Sequence, residues 1–371
     1  MDTGFTRSGA RAVTATVPGR TDSLVDVAGL RVGHHHELDE DATLGSGAAT
    51  GCTVVLAPHG VTGAVDVRGG GPGTRETDLL DPSHSVRKVH AILLTGGSAY
   101  GLGAADGVMR WLEERGHGIP MGAPDQVVPI VPGAVIYDLP VGDWGRRPTA
   151  EFGYRAADSA SSQLRSGSVG AGVGARAGAL KGGIGTASVV IEDGPARGVT
   201  VAALMVANPT GSVFDPSTGL PWGVGDAKAS SFGLRRPERG ELAAANELAA
   251  KSTVLNTTIG VIATDAPLNK SSCRRVAVAG HDGLAHAIRP AHTPLDGDTI
   301  FALATGTRDI EAPAGVPDAF APDLPVLTAV TTAASSVVER AIVDAILSAT
   351  SVAGIPSYRD LFPSAFEPDR S

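Results

Sequence analysis

From Ser23 onward, short apolar segments that read as strands alternate with stretches of helical periodicity, and this order restricts the chain to a layered fold with helices outside sheets. Strands are expected at residues 25–32, 52–57, 63–68, 90–94, 187–191, 198–206, 258–264 and 299–305. A helix fits 99–115, where Leu102, Ala105, Met109 and Leu112 form an apolar stripe that Gly116 ends. Further helices are expected at 149–164, 241–250, 270–288 and 326–348. Residues 223–240, polar and basic, read as a surface loop. Residues 1–22 read as a flexible leader, and 351–371, with Pro356, Pro363 and Pro368, as an extended tail.

A chain of 371 residues can bury one large core or two smaller ones. Aromatic residues are only 4%, so that core must be built from Ala, Val, Leu and Ile. The 49 glycines and 25 prolines punctuate apolar runs rather than forming tracts, and read as turns and close backbone approaches. A net charge of −9 without a basic patch argues against a nucleic-acid partner. Cys52 and Cys273 lie far apart, give no metal or redox spacing, and read as small buried hydrophobes. With no run of 18 apolar residues and no apolar block in the first 21, neither a membrane span nor a secretory signal is expected. A cytoplasmic setting is the expectation that follows.

The chemistry concentrates at a few positions. Asn256-Thr257-Thr258 runs straight into an apolar, β-branched strand. It either begins that strand after a turn or marks a place where the chain cuts itself and exposes Thr257. A terminal α-amine, with an ordinary pKa of about 7.7–8.0, can serve as base to the hydroxyl of the same residue. Asp296-Gly297-Asp298-Thr299 is an Asp-Gly turn or a carboxylate pair that orients an ammonium group and the nucleophile. Asn208, in Ala207-Asn208-Pro209, starts a turn or donates its amide to an oxyanion. Gly96-Gly97-Ser98-Ala99-Tyr100-Gly101 lacks nucleotide-loop spacing, so Gly97, Ser98 and Tyr100 read as substrate contacts. Lys181, closing a Gly-rich stretch, is a catalytic cation or a solvated charge. His34-His35-His36 cannot converge on one centre from a strand or helix, and no metal is expected. Residues 66–78, dense in Gly and charge, form a substrate-binding or an interface loop.

Taken together, these stretches resemble the self-processing aminopeptidases of the D-aminopeptidase and β-peptidyl aminopeptidase type, which include the nylon-oligomer (6-aminohexanoate oligomer) hydrolases. The resemblance rests on Thr50-Gly51-Cys52-Thr53, Asp66-Val67-Arg68-Gly69-Gly70, Arg75-Glu76-Thr77-Asp78, Thr95-Gly96-Gly97-Ser98-Ala99-Tyr100-Gly101, Ala207-Asn208-Pro209, Asn256-Thr257-Thr258 and Asp296-Gly297-Asp298-Thr299, and spans roughly residues 25–350. It implies an α+β, four-layer αββα sandwich and a cut between Asn256 and Thr257. The resulting chains, 23–256 and 257–371, would remain one folded unit, usually assembled as a homotetramer. Thr257 would be the nucleophile, Asp296 and Asp298 the acidic pair, and Asn208 and Tyr100 would line the oxyanion and substrate site. No cofactor is implied.

The Asn-Thr junction leans toward the nylon-oligomer branch, because the aminopeptidase members expose a serine after a glycine. One position departs. The catalytic lysine of the nylon-oligomer hydrolases directly follows an Ala-Gly, whereas here Ala177-Gly178 is followed by Ala179 and the nearest lysine is Lys181. The expected activity is hydrolysis of linear amides such as 6-aminohexanoate oligomers or peptides. Alternatives are an aminopeptidase for D- or β-residue N-termini, an acyltransferase, or a non-catalytic binding relative.

Overall fold

The computed structural model describes residues 14–123, 125–248, 256–311 and 316–366. The principal strands and helices are, in chain order, β1 (Thr16–Pro18), β2 (Arg31–Leu38), β3 (Ala49–Val67), β4 (Lys88–Thr95), α1 (Ala104–Glu113), α2 (Ala150–Asp158), β5 (Gly183–Ile191), β6 (Thr200–Ala207), β7 (Ile259–Thr264), α3 (Lys270–Ala287), β8 (Thr299–Ala304) and α4 (Leu324–Leu347). A ten-stranded sheet runs β1-β5-β6-β7-β8-β3-β4, extended by Gly133–Val135 and Thr74–Arg75, with β2 also paired to β3. β7 and β8 are parallel, and α3 is the crossover that a parallel pair requires.

This sheet folds over on itself through β3. The first part of β3 pairs with β2 and β4, the last part with β8, and the register shifts between Leu56 and Val61. Strand alternation then sorts the apolar residues into three stacked cores. Val54, Leu56, Ala91 and Leu93 pack on Val108 and Leu112 of α1 and Phe152 of α2. Val55, Ile92 and Leu94 meet Leu204, Val206, Val261 and Phe301 in the middle. Ala203, Met205, Ile262 and Ile300 face Val276 of α3 and Val330, Val337 and Val338 of α4. The result is the expected four-layer αββα arrangement. Gly185 lets α4 lie directly on β5, since a Cβ there would stand 2.0 Å from the Ala341 carbonyl oxygen.

Several boundaries differ from those read off the sequence. The strands expected at 52–57 and 63–68 are one 19-residue strand, Ala49–Val67, with Arg68 just past its end, because the chain crosses Pro58-His59-Gly60 with a register shift instead of turning back. The strand expected at 25–32 starts only at Arg31; before it, Leu24–Asp26 is a 3-10 turn in which the Asp26 carboxylate takes the Thr21 and Ser23 amides. The helix expected at 99–115 opens as a 3-10 segment, Ser98–Gly103, where two glycines weaken the helical preference. The helix expected at 149–164 ends at Asp158, since Ser161 instead pairs with Val32 across β2.

Strand pairing reaches into the stretch read as a leader, Thr16–Pro18 lying against β5; residues 1–13 fall outside the described residues. The tail is not extended over 351–366, and 367–371 fall outside the described residues. Tyr358, Phe362 and Ala365 are buried in the core against α4, and the Tyr358 hydroxyl donates to the Gly219 carbonyl at 2.8 Å. In an aromatic-poor chain, burying these rings outweighs the proline punctuation. The helix expected at 241–250 is Arg239–Glu247, with 249 and 250 outside the described residues. Among the described residues, α4 alone is long and apolar enough to cross a membrane, and 56% of its most apolar window is buried within the fold.

Candidate active site

Sheet register brings four chain segments to one end of the sheet. β7 and β8 start level, Ile259 opposite Thr299, so Asn256-Thr257-Thr258 lies beside Asp296-Gly297-Asp298. β6 runs the other way and ends there, Val206 opposite Ile259, which delivers Asn208. β5 begins there, Gly183 opposite Ala207, which delivers Lys181 and Gly182.

The Thr257 hydroxyl donates to the carbonyl oxygen of Asn256 at 2.5 Å, so Oγ1 rests against the Asn256–Thr257 peptide. That same carbonyl oxygen accepts the Gly297 N–H at 2.9 Å, a donor placed where charge would develop if the carbonyl were attacked. Gly297 must lack a side chain, because a Cβ would stand 2.7 Å from Thr257 Oγ1. The Thr257 N–H donates to the Asn208 carbonyl at 3.2 Å. Asn208 takes the Arg176 N–H on its side-chain Oδ1 at 2.9 Å, which fixes Nδ2 as the donor end of that amide. Asn256 bonds Thr210 Oγ1 through its side-chain nitrogen. Asn208, Asn256 and Thr257 are all buried, at 0%, 1% and 5% exposure.

Both carboxylates are engaged with neighbouring donors. Asp298 accepts the Thr258 N–H on Oδ1 at 2.8 Å, and the His292 N–H and Nδ1 on Oδ2 at 3.1 and 2.8 Å. Asp296 accepts the Thr293 N–H at 2.7 Å and the Thr210 hydroxyl at 3.2 Å. The glycine-rich loop that follows β3 clamps this turn, Arg68 and Gly69 donating to the Asp298 carbonyl and Gly71 to that of Asp296.

Lys181 lies in a neighbouring buried cluster. It is fully covered, and Nζ donates to the carbonyls of Gly172 and Gly182 at 2.7 Å each. Burial pushes the ammonium down to about 7, against the pull of the Asp138 carboxylate. Burial pushes Asp138 up, against its bonds from the Gly97 N–H at 2.6 Å and the Thr50 hydroxyl at 2.7 Å. Both groups therefore shift toward their uncharged forms, the outcome where desolvation outweighs attraction. The cluster adjoins Asn208 through the backbone, as Gly182 packs on the carbonyl of the preceding Ala207.

Gly97 is thus tied to the lysine cluster, and half-buried Ser98 follows it with its N–H on the Ile136 carbonyl at 3.0 Å. Tyr100 is 59% exposed, with the Arg147 guanidinium 4.0 Å from its ring centre. The three histidines of β2 turn to separate partners: His34 to Thr53, His35 to the Phe152 ring, His36 to the Gly170 N–H. Cys52 and Cys273 are buried, which raises both thiols. Sequence reading missed Asp138, Thr210, Arg176 and His292; Thr210 and His292 lie close in sequence to Asn208 and Asp296, whereas Asp138 reaches its cluster only by folding. Of these, only His292 has a local signature in the structure, a φ of +56° that is uncommon outside glycine.

The chain matches peptidase family S58 over residues 22–359. It is 58% identical over 349 residues to an uncharacterized aminopeptidase of Mycobacterium tuberculosis, which covers 93% of this chain and 99% of the relative. A 6-aminohexanoate-oligomer endohydrolase of Kocuria is 31% identical over 306 residues, 80% of this chain and 79% of the relative. Among solved structures, the L-aminopeptidase D-Ala-esterase/amidase of Ochrobactrum anthropi, described as a prototype for the serine aminopeptidases and a variant of the Ntn hydrolase fold, matches with a TM-score of 0.66. The two share 24% identity over 90% of this chain and 88% of that one.

Proposed function

The chain belongs to peptidase family S58 and is a hydrolase of the Ntn type, and on that footing we propose that Thr257 first cuts its own chain and then hydrolyses amides. The observation that carries this reading is the contact of Thr257 Oγ1 with the Asn256 carbonyl while Gly297 holds that oxygen. In the first step Oγ1 attacks the Asn256 carbonyl carbon and its proton passes to the Thr257 nitrogen. The C–N bond breaks to leave an ester, and water hydrolyses it to an Asn256 carboxylate and a free Thr257 amine and hydroxyl.

In the second reaction that amine takes the hydroxyl proton as Oγ1 attacks a substrate amide. The leaving amine carries the proton away, and water releases the acyl group. The Asn208 Nδ2 and the Gly297 N–H are the donors for the oxyanion. Asp298 braces the nucleophile's neighbour through the Thr258 N–H, and Asp296 holds the turn. Lys181, in the adjoining cluster, supplies an ammonium there only below about pH 7, where burial no longer holds it neutral.

We propose linear amides ending in a free amine as the substrate class, with the 6-aminohexanoate oligomers named for the Kocuria relative and peptide N-termini as its two members. The supporting features are the acidic turn and the Asn-Thr junction. The test is intact mass and N-terminal sequencing of the purified protein beside Thr257→Ala, followed by hydrolysis assays on both substrate types. A fragment beginning at Thr257, absent from the variant, is the expected result. A single uncut chain in both samples would refute the assignment of the nucleophile.

A further inference from the structure

We infer that His292 is a positioning residue for Thr257, acting through Asp298; this rests on the proposed role of Thr257. Both donors of His292, its backbone N–H and its ring Nδ1, converge on one carboxylate oxygen, Oδ2 of Asp298, at 3.1 and 2.8 Å. The other oxygen, Oδ1, takes the Thr258 N–H at 2.8 Å. The carboxylate is therefore a strut with one end on His292 and the other on the amide that immediately follows the nucleophile. A carboxylate only accepts, so Nδ1 carries the proton in this arrangement.

The strut is stiff for identifiable reasons. The Asp298 side chain is 3% exposed and that of His292 is 19% exposed. The His292 ring meets His281 of α3 edge to face, with centres 4.9 Å apart. His281 is fully buried, and its Nε2 donates to the backbone carbonyl of Asp66 on β3 at 3.1 Å. Burial pushes His281 down to about 4, so it presents an uncharged ring to its neighbour. A line of contacts thus runs from β3 through α3 and His292 to the first residue of the β7 approach. Residue 292 also adopts a φ of +56°, a conformation that lets its N–H and its ring reach the same oxygen.

If the ring is lost, Asp298 keeps the backbone donor but gains freedom to rotate. Thr258 loses its fixed partner, and the Thr257 hydroxyl drifts from the Asn256 carbonyl. A displacement of this size costs rate on the order of 100-fold.

Three variants separate the ring from the backbone. His292→Gly keeps the positive φ without strain but removes the ring donor. His292→Ala removes the donor and strains the backbone. His292→Asn keeps both, since asparagine tolerates this φ and its amide nitrogen can take the place of Nδ1. The measurement is the fraction of uncut chain against time after cell-free synthesis, with the melting temperature of each variant recorded. Self-cutting slowed roughly 10–100-fold in Gly and Ala, with Asn within about threefold of wild type, is the expected result. Gly cutting at the wild-type rate would overturn the inference while leaving Thr257 as nucleophile. So would Asn as slow as Gly. A wild-type chain that never cuts would instead remove the nucleophile, and the role of His292 with it.

Discussion

Two buried polar clusters sit side by side at the end of the sheet, and they are built on different principles. Around Thr257, the carboxylates of Asp296 and Asp298 and the Asn256 carbonyl meet the Thr258, Thr293 and Gly297 amides, with the His292 ring and Thr210 hydroxyl beside them, in segments that the β7–β8 register sets side by side. Around Lys181, which lies in a two-residue strand, Leu180–Lys181, paired with Arg176–Ala177, a buried amine faces two carbonyl oxygens and feels Asp138 through space. The first cluster fixes where atoms lie. The second fixes which groups are charged. Geometry is entrusted to paired strands, whose register cannot slip by one residue without turning every side chain to the wrong face. Charge is tuned by burial, which needs no such precision of angle.

This contrast can be broken most severely at Gly297. Gly297→Ala puts a Cβ 2.7 Å from Thr257 Oγ1 and 3.0 Å from the Gly71 carbonyl oxygen. Self-cutting is expected to fall by about 100-fold or more, read as precursor mass against time. Normal cutting would mean that the turn can back away, and that register does not fix the nucleophile. Asn208→Ala comes next. It removes the proposed oxyanion donor, for an expected loss in kcat of roughly 100–1000-fold in the cut enzyme. It also deprives the Arg176 N–H of its acceptor, which should lower stability by about 1–3 kcal/mol. Retained kcat beside lowered stability would make Asn208 a brace only.

The charge cluster is tested by pH. Lys181 has a folded pKa of about 7 against an ordinary 10.5, so between those values the unfolded chain binds more protons than the native one. Lys181 should therefore contribute a rise in stability on the order of 3 kcal/mol as pH goes from 7 toward 10, and Lys181→Met should lose that contribution. Urea unfolding at a series of pH values decides it. A wild-type slope no steeper than that of the variant would mean the ammonium stays charged beside Asp138. The smallest effect is expected at Tyr100→Phe, which keeps the ring under Arg147. Stability should stay within about 0.5 kcal/mol, and KM for an amide substrate should rise about 2–10-fold if the hydroxyl meets substrate. Unchanged kcat and KM would remove Tyr100 from the site.

What could be read from the sequence follows the same division. Asn256-Thr257 and Asp296-Gly297-Asp298 were legible because each directly precedes an apolar strand, and the layered architecture followed from the order of segments. Their adjacency was not legible, since it arises from the parallel pairing of β7 and β8. Asp138 carries no local pattern, because it acquires its role from the distant Thr50 and Gly97; His292 lies close in sequence to its partner Asp298, but the positive φ that aims both its donors at one oxygen has no signature in the sequence. The long β3 was divided at Pro58-His59-Gly60, where turn chemistry is strong but the sheet carries the chain through. The tail was read by its prolines, whereas Tyr358 and Phe362 decide its place by filling the core under α4.

The sheet order β6-β7-β8-β3 has one more consequence. The bond between Asn256 and Thr257 lies upstream of both middle strands and downstream of the two that flank them. A cut there leaves two polypeptides interleaved like the fingers of clasped hands, with nothing to separate them while folded. Once unfolded, they would have to find each other in solution. Renaturation would then depend on protein concentration, and heat inactivation of a dilute, cut protein would be a one-way event, whereas an uncut chain would have no second polypeptide to find.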